Sequence, residues 1–342
     1  MDKKIIKLVT RGSDYRKFSL YQFQSPNNKG IWKNCIFTFD PFEQNYDWFV
    51  VLDNMPTSLL KSTEILQCPK ENTIFVTSEP SSISRYGKAF AGQFHYLITN
   101  QNEKILPHTN AIRSQTGIYW LYGKDFDNIV KDTHLPKTKL LSTICSDKKD
   151  GHTMHKKRYD FTQLMEKEIP EMERFGRGFQ FIEKKYQALD DYKFHVVIEN
   201  HIENHMWSEK LADAFLGFTV PIYCGCPNIY DYFPKDSLIQ IDINQPQEAI
   251  EIIRNIISIP GEYERRFEAV QEARRKVLYE YNLLEMITNI VNQSPLHKNM
   301  ILNQKIHSRR YMRARNLDDL YYFIQFRLSN FVTCFIQKYF AK

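Results

Sequence analysis

The segment from Tyr192 to Asp242, YKFHVVIENHIENHMWSEKLADAFLGFTVPIYCGCPNIYDYFPKDSLIQID, constrains the fold of this chain more than any other. Phe194 to Ile198 is a short apolar run suited to an internal parallel strand. Such a strand delivers Glu199 and Asn200 to its carboxyl end, where open α/β sheets place their ligands. Ser208 then caps a helix whose apolar residues Leu211, Ala214, Phe215 and Phe218 recur at helical spacing. Glu209 and Lys210 fall in its first turn, beside free backbone N–H groups and the positive end of the helix dipole, where an anion such as a diphosphate binds readily. A phosphate-bearing ligand is the economical reading.

The same alternation runs through the rest of the chain. Lys4 to Thr10, Trp48 to Leu52, Thr73 to Thr77 and Tyr96 to Thr99 read as strands, each followed by turn or cap residues. A polar, lysine-rich stretch from Lys124 to Lys139 interrupts the pattern, which places a domain boundary near Pro136. Beyond it, Leu140 to Cys145, Met172 to Phe175, Phe194 to Ile198, Val220 to Tyr223 and Leu238 to Ile241 read as strands. Helices are expected around Lys156 to Glu168, Glu209 to Gly217 and Ala249 to Ile256, with a long helical region from Gly261 to Val291 closing the second domain. The expected fold class is α/β, with two Rossmann-like domains facing across a cleft and a basic helical tail. Domain limits of 1–136, 137–296 and 297–342 follow. The length of 342 residues suits two such cores better than one.

The chain lacks the apolar N-terminal region of a signal peptide and any apolar run of roughly 18 residues, so a soluble cytoplasmic protein is expected. Six scattered cysteines in that setting argue against disulfides, and the C-x-C of Cys224 and Cys226 reads as buried thiols rather than zinc ligands. The formal charge of +6 is concentrated in the tail, where nine lysines and arginines after His297 face Asp318 and Asp319. Leu320, Phe323, Ile324, Phe326, Leu328, Phe331 and Phe335 lie among them. This helix reads equally as one lying on an anionic membrane surface and as one packed on the body or on a partner subunit. Nucleic acid is a third partner class, but the tail has no recognition motif, so only nonspecific binding is expected there. Oligomeric state is not legible.

The order E-N, a short loop, S/T-E-K, a helix, P-I-Y-x-G-x-P and then F-P resembles the donor-binding half of the α1,3-fucosyltransferases, glycosyltransferase family 10, in its bacterial type. The resemblance implies a GT-B type enzyme that inverts the anomeric centre while moving fucose from GDP-fucose to a glycan hydroxyl. An α1,3 linkage in bacterial surface polysaccharide is the class it suggests. It gives Lys210 and Arg177, the latter in RFGRGF, to the leaving diphosphate, and Glu79, in TIFVTSEPSS, to the acceptor proton. Asn200 and Glu209 would hold the ribose, with Ser208 beside them. Ser146 and Arg158 match the loop after the first donor-domain strand, where Arg158 is expected to anchor rather than to touch donor. The family's aromatic position before S/T-E-K is Met206 here, with Trp207 next to it, so these two are expected at the sugar pocket. Glu199 reads as a strand-end group.

Each assignment has a plain alternative: a first-turn surface lysine for Lys210, a solvent-facing turn arginine for Arg177, a solvated carboxylate for Glu79. His201, Glu203 and His205 lack the H-E-x-x-H order, and no D-x-D pair follows a strand, so no cofactor is required and a divalent metal is at most stimulatory. The alternatives to fucose transfer are another nucleotide sugar on the same fold, or a noncatalytic glycan-binding or membrane-associated protein.

Overall fold

The structure is a computed structural model that describes residues 3–11, 20–56, 63–117, 119–148, 154–295, 301 and 303–339. The chain divides into two compact units, Met1–Tyr119 with Tyr281–Val332, and Trp120–Glu280 with Thr333–Lys342. Each is α/β and built on a largely parallel sheet, as the sequence predicts.

In the first unit the sheet runs, edge to edge, Ile31–Trp32, Cys35–Thr38, Lys4–Thr10, Trp48–Leu52, Thr73–Val76, Tyr96–Thr99 and Ala111–Arg113. Only the first pair is antiparallel. Trp48–Leu52 and Thr73–Val76 are buried along their whole length, which is what covering both faces of a parallel sheet requires. Phe75 anchors the core, edge-on to Phe90 at 5.0 Å and stacked on Phe94 at 5.3 Å. Lys7, on the inner strand Lys4–Thr10, is paired at 2.7 Å with Glu64; the two are 0% and 3% exposed.

The chain from Tyr281 to Val332 is part of this unit, so most of the stretch expected as a separate tail, 297–342, packs on the body. Lys305–His307 pairs antiparallel with Thr63–Ile65, burying Ile306 in the aromatic core. Asp319 accepts the N–H groups of Ala89 and Phe90 at 3.1 and 3.2 Å, capping the short helix Lys88–Ala91 from a distant part of the chain. A Cβ on Gly87 would lie 2.0 Å from the Asp319 carboxylate, so that docking needs glycine there. The helix Leu317–Tyr339 leaves Leu317, Tyr321, Ile324 and Leu328 exposed; the side chains of Phe331 and Phe335 lie outside the described residues.

The second unit has the parallel order Met172–Phe175, Lys139–Ile144, Tyr192–Ile198, Val220–Cys224 and Ile239–Gln240. Its beginning falls at Trp120 rather than near Pro136, because the polar stretch is packed into it. Lys124 pairs with Asp132 and Asp190, both at 2.9 Å, and Arg274 donates to the carbonyl of Asp132 at 2.9 Å. Lys137 donates to the carbonyls of Asp190 and Gly217, at 2.8 and 2.5 Å. The expected long helix from Gly261 is two helices, Glu262–Tyr279 and Leu283–Gln293. Only the first belongs to this unit. Asn282 starts the second by accepting the N–H of Leu284 at 3.0 Å, while its own amide donates to Gln24 O at 2.8 Å in the first unit.

Candidate functional site

The site grows from the end of strand Tyr192–Ile198, which is paired in parallel on both edges. The ladder continues one residue further, through Glu199 N–H to Cys224 O at 2.9 Å, and so fixes a carboxylate that is 3% exposed. Glu199 accepts both the N–H and the hydroxyl of Ser208, at 2.8 and 2.7 Å. Ser208 in turn caps the helix Glu209–Leu216. Gly225 is required beside them, since a Cβ there would meet Tyr223 Oη at 2.3 Å and Glu199 Cγ at 2.6 Å. Lys210 Nζ then lies 3.1 Å from Ser208 Oγ, 3.2 Å from Glu209 Oε1 and 3.5 Å from Glu199 Oε2.

Lys210 and Glu209 face a cavity of about 240 Å³ within the second unit, lined also by Ser146, Arg158, Arg177, Lys185, His195 and Asp213. Four cations stand there against two carboxylates, a balance that suits an anion. Burial alone would raise the Glu209 carboxyl, but Lys210 and Lys185 outweigh it and hold it down to about 2, so it is ionised at neutral pH. Burial pulls the Lys210 ammonium down, but Glu209 and Glu199 raise it on balance. Lys185 pairs with Asp213 at 2.7 Å and reaches Glu209 at 3.9 Å. Arg158 is 8% exposed; its Nη1 donates to Asn200 Oδ1 at 2.9 Å, and its Nε is buried with no hydrogen-bond partner. A buried guanidinium donor left unmatched on a cationic cavity is a place for an anionic acceptor.

The two arginines of RFGRGF divide. Arg174 is structural, with Nη1 on Glu166 at 2.7 Å and its guanidinium over the Phe179 ring at 3.3 Å. Arg177 is exposed and lines the cavity, carried by Gly176 at φ +130°, where an added Cβ would press on the Cys145 backbone at 3.1 Å.

Of the residues singled out from sequence, the cavity brings together Lys210, Glu209, Arg177, Ser146 and Arg158. The Ser208 hydroxyl is committed to Glu199 and Lys210. The Asn200 amide oxygen serves Arg158. Met206 and Trp207 are corrected from sugar pocket to core. Both are buried, and Trp207 packs edge-on against Phe233 at 5.0 Å and Tyr232 at 5.9 Å. Arg158, expected only to anchor, lines the cavity, and Lys185 had no signal in the sequence because its partners Asp213 and Glu209 are distant in the chain. His205 is bonded through Nδ1 to Tyr232 Oη at 2.6 Å, and among the described residues no group of three or more His, Cys, Asp or Glu is placed to hold a metal ion. Glu79 is exposed in the first unit, just past strand Thr73–Val76.

A Rossmann-like domain with an anion site at its strand ends is what this geometry defines. Residues 135–299 match the model of glycosyltransferase family 10 (fucosyltransferase), C-terminal part. Over 126 residues the chain is 29% identical to 4-galactosyl-N-acetylglucosaminide 3-alpha-L-fucosyltransferase 9 of Cricetulus griseus, covering 35% of this chain and 34% of that protein. Over 74 residues it is 34% identical to alpha-(1,3)-fucosyltransferase FucT of Helicobacter pylori, covering 21% of this chain and 16% of the relative. These matches thus span between 16% and 34% of the curated relatives' length. A solved alpha1,3-fucosyltransferase superposes with a TM-score of 0.48 at 17% identity, over 82% of this chain and 92% of the other. The likeness to glycosyltransferase family 10 thus lies over residues 135–299, most of the second unit.

Proposed function

We propose that this protein transfers fucose from GDP-fucose to a hydroxyl of a glycan acceptor, with inversion at the anomeric carbon and an α1,3 linkage. The observation that carries the reading is the cationic cavity at the start of helix Glu209–Leu216, where Lys210, Arg177 and the unmatched Nε of Arg158 meet. A leaving diphosphate gains charge as the glycosidic bond breaks, and fixed cations stabilise that charge without metal. Glu209, held ionised, is suited to accept from the vicinal hydroxyls of a ribose. Glu79 is the base that takes the acceptor proton as its oxygen attacks. The relatives named as fucosyltransferases support the sugar, and surface polysaccharide assembled in the cytoplasm, at the inner face of the membrane, is the proposed setting. The exposed Arg310, Arg315 and Arg327 of the C-terminal segment are the proposed contact with anionic lipid.

The test is donor turnover across a panel of nucleotide sugars, with and without glycan acceptors and with a chelator present. GDP-fucose should be the preferred donor, with transfer surviving metal removal. Preference for another nucleotide sugar would replace the fucose assignment, and no turnover of any donor would replace the enzymatic one.

A further inference from the structure

The turn that carries Glu79 is held by a hydrogen-bonded chain that ends in the C-terminal segment of the same unit. Ser78 donates its N–H to Asp53 Oδ1 at 2.7 Å and its hydroxyl to Asp53 Oδ2. Tyr86 donates its hydroxyl to Asp53 Oδ1, and the same phenol oxygen accepts the N–H of Glu79 at 3.3 Å. Gln101 Nε2 donates to the carbonyls of Glu79 and Ser84, at 3.0 and 2.8 Å. Asp53, the hub, sits at φ +62°, a backbone conformation that non-glycine residues hold only when their surroundings enforce it.

Arg309 supplies the enforcement from the far side. Its Nη2 donates to Arg85 O at 2.7 Å and Ser84 Oγ at 3.2 Å, and its guanidinium lies 4.4 Å from the centre of the Tyr86 ring. Its backbone N–H donates to Asn54 Oδ1 at 3.1 Å, one residue beyond Asp53. The Arg309 side chain therefore grips the end of the turn and the ring that supports its beginning, while its backbone N–H holds the neighbour of the hub. Ser308 makes the grip local and rigid: it is 1% exposed and caps the helix Arg309–Arg313 through the N–H of Tyr311.

We propose that Arg309 is a positioning residue for transfer, which fixes the Glu79 carboxylate by locking Tyr86 and the 78–86 turn. This rests on the reading of Glu79 as the base. It gives the C-terminal segment a catalytic consequence within its own unit, through contacts that the sequence resemblance does not cover. A base displaced by about 1 Å can cost as much as 100-fold in rate while substrate binding elsewhere is untouched.

The experiment is steady-state kinetics on the full chain with Arg309→Ala, Arg309→Lys and Tyr86→Phe, each alone and combined with Glu79→Gln, alongside GDP titration and unfolding midpoints. Arg309→Ala should lower kcat by roughly 10- to 100-fold with GDP affinity within about twofold of wild type. Arg309→Lys, which keeps the charge over Tyr86 but loses the fork, should lie between them. In the Glu79→Gln background Arg309→Ala should change the residual rate less than about twofold, because the group it positions is gone. If Arg309→Ala does not fold, Tyr86→Phe keeps the ring beneath the guanidinium and carries the same kinetic expectation. Wild-type kcat in the folded variants, or an equal loss in both backgrounds, overturns the positioning role alone. Wild-type transfer by Glu79→Gln itself overturns the base assignment and this proposal with it.

Discussion

Glu199 holds Ser208 by two atoms at once, its carboxylate oxygens accepting the backbone N–H at 2.8 Å and the hydroxyl at 2.7 Å. This couples the end of a buried strand to the first residue of the helix that carries Lys210. Ser208→Ala removes the cap and leaves a buried carboxylate one partner short. The expected cost is about 1–3 kcal/mol of stability with donor affinity of the folded enzyme nearly unchanged. Denaturant unfolding and GDP titration check it; weakened GDP binding at full stability would return the hydroxyl to the donor.

Lys210, Arg177 and Arg158 face the same cavity from three segments, and their deletion separates binding from chemistry. Lys210→Ala and Arg177→Ala should each lower turnover by about 100-fold or more, the scale for one electrostatic stabiliser. Arg158→Met should weaken GDP binding as well, since its Nε is the buried donor still unmatched. Turnover within about threefold of wild type in Lys210→Ala, with GDP bound normally, would remove that lysine from the mechanism.

Lys7 and Glu64 form a buried pair, with Lys7 also donating to Glu43 O at 2.8 Å and Tyr46 donating to Glu64 at 3.0 Å. Glu64→Leu should destabilise the protein by about 3–5 kcal/mol, because it leaves an ammonium buried without its counter-charge. Lys7→Met combined with Glu64→Leu should recover most of that loss. Equal unfolding free energies for the single and double variants would show that the charge is relieved elsewhere.

His195 lines the cavity wall, where burial, reinforced by Lys185, pushes its imidazole down to about 3. Ser142 donates its hydroxyl to Ala188 O at 2.7 Å, so the 2.7 Å contact between Ser142 Oγ and His195 Nδ1 is donated by the ring. The unfolded chain takes up this proton near pH 6.5 and the folded one does not. The His195 contribution is therefore complete above about pH 6.5 and falls by about 1.4 kcal/mol per pH unit below it, until about pH 3. Asp213, raised to about 6 by burial despite Lys185, gains a proton in the folded state over part of that range and works in the opposite sense. Comparing wild type with His195→Gln isolates the first effect. Urea unfolding should show the gap between them nearly constant from pH 7.5 to 6.5 and changing by about 1 kcal/mol from 6.5 to 5.5, and a gap constant throughout would mean that the imidazole is already charged.

The sequence by itself determined the parts that depend on neighbours along the chain. Trp48–Leu52, Tyr192–Ile198 and Val220–Cys224 are strands because apolar runs bounded by turns have few other ways to bury themselves. Ser208, Glu209 and Lys210 are a helix start because capping chemistry is local. Those two facts already pointed to where an anion site was to be expected. What only the tertiary structure decided was which side chains share a cavity and which are spent on holding it. Trp207 looked like an aromatic for the sugar but faces Phe233, since the neighbours that bury it come from another stretch of chain. Lys185 meets the site across the fold with no spacing to betray it, and Arg158, expected only to anchor, lines the same cavity. The C-terminal segment shows the difference most plainly: its basic and aromatic pattern fits a membrane helix and a packed one alike, because composition records what a face can touch. Asp319 on the helix Lys88–Ala91, and Arg309 on Tyr86, are contacts between residues far apart in sequence, and only folding brings them together.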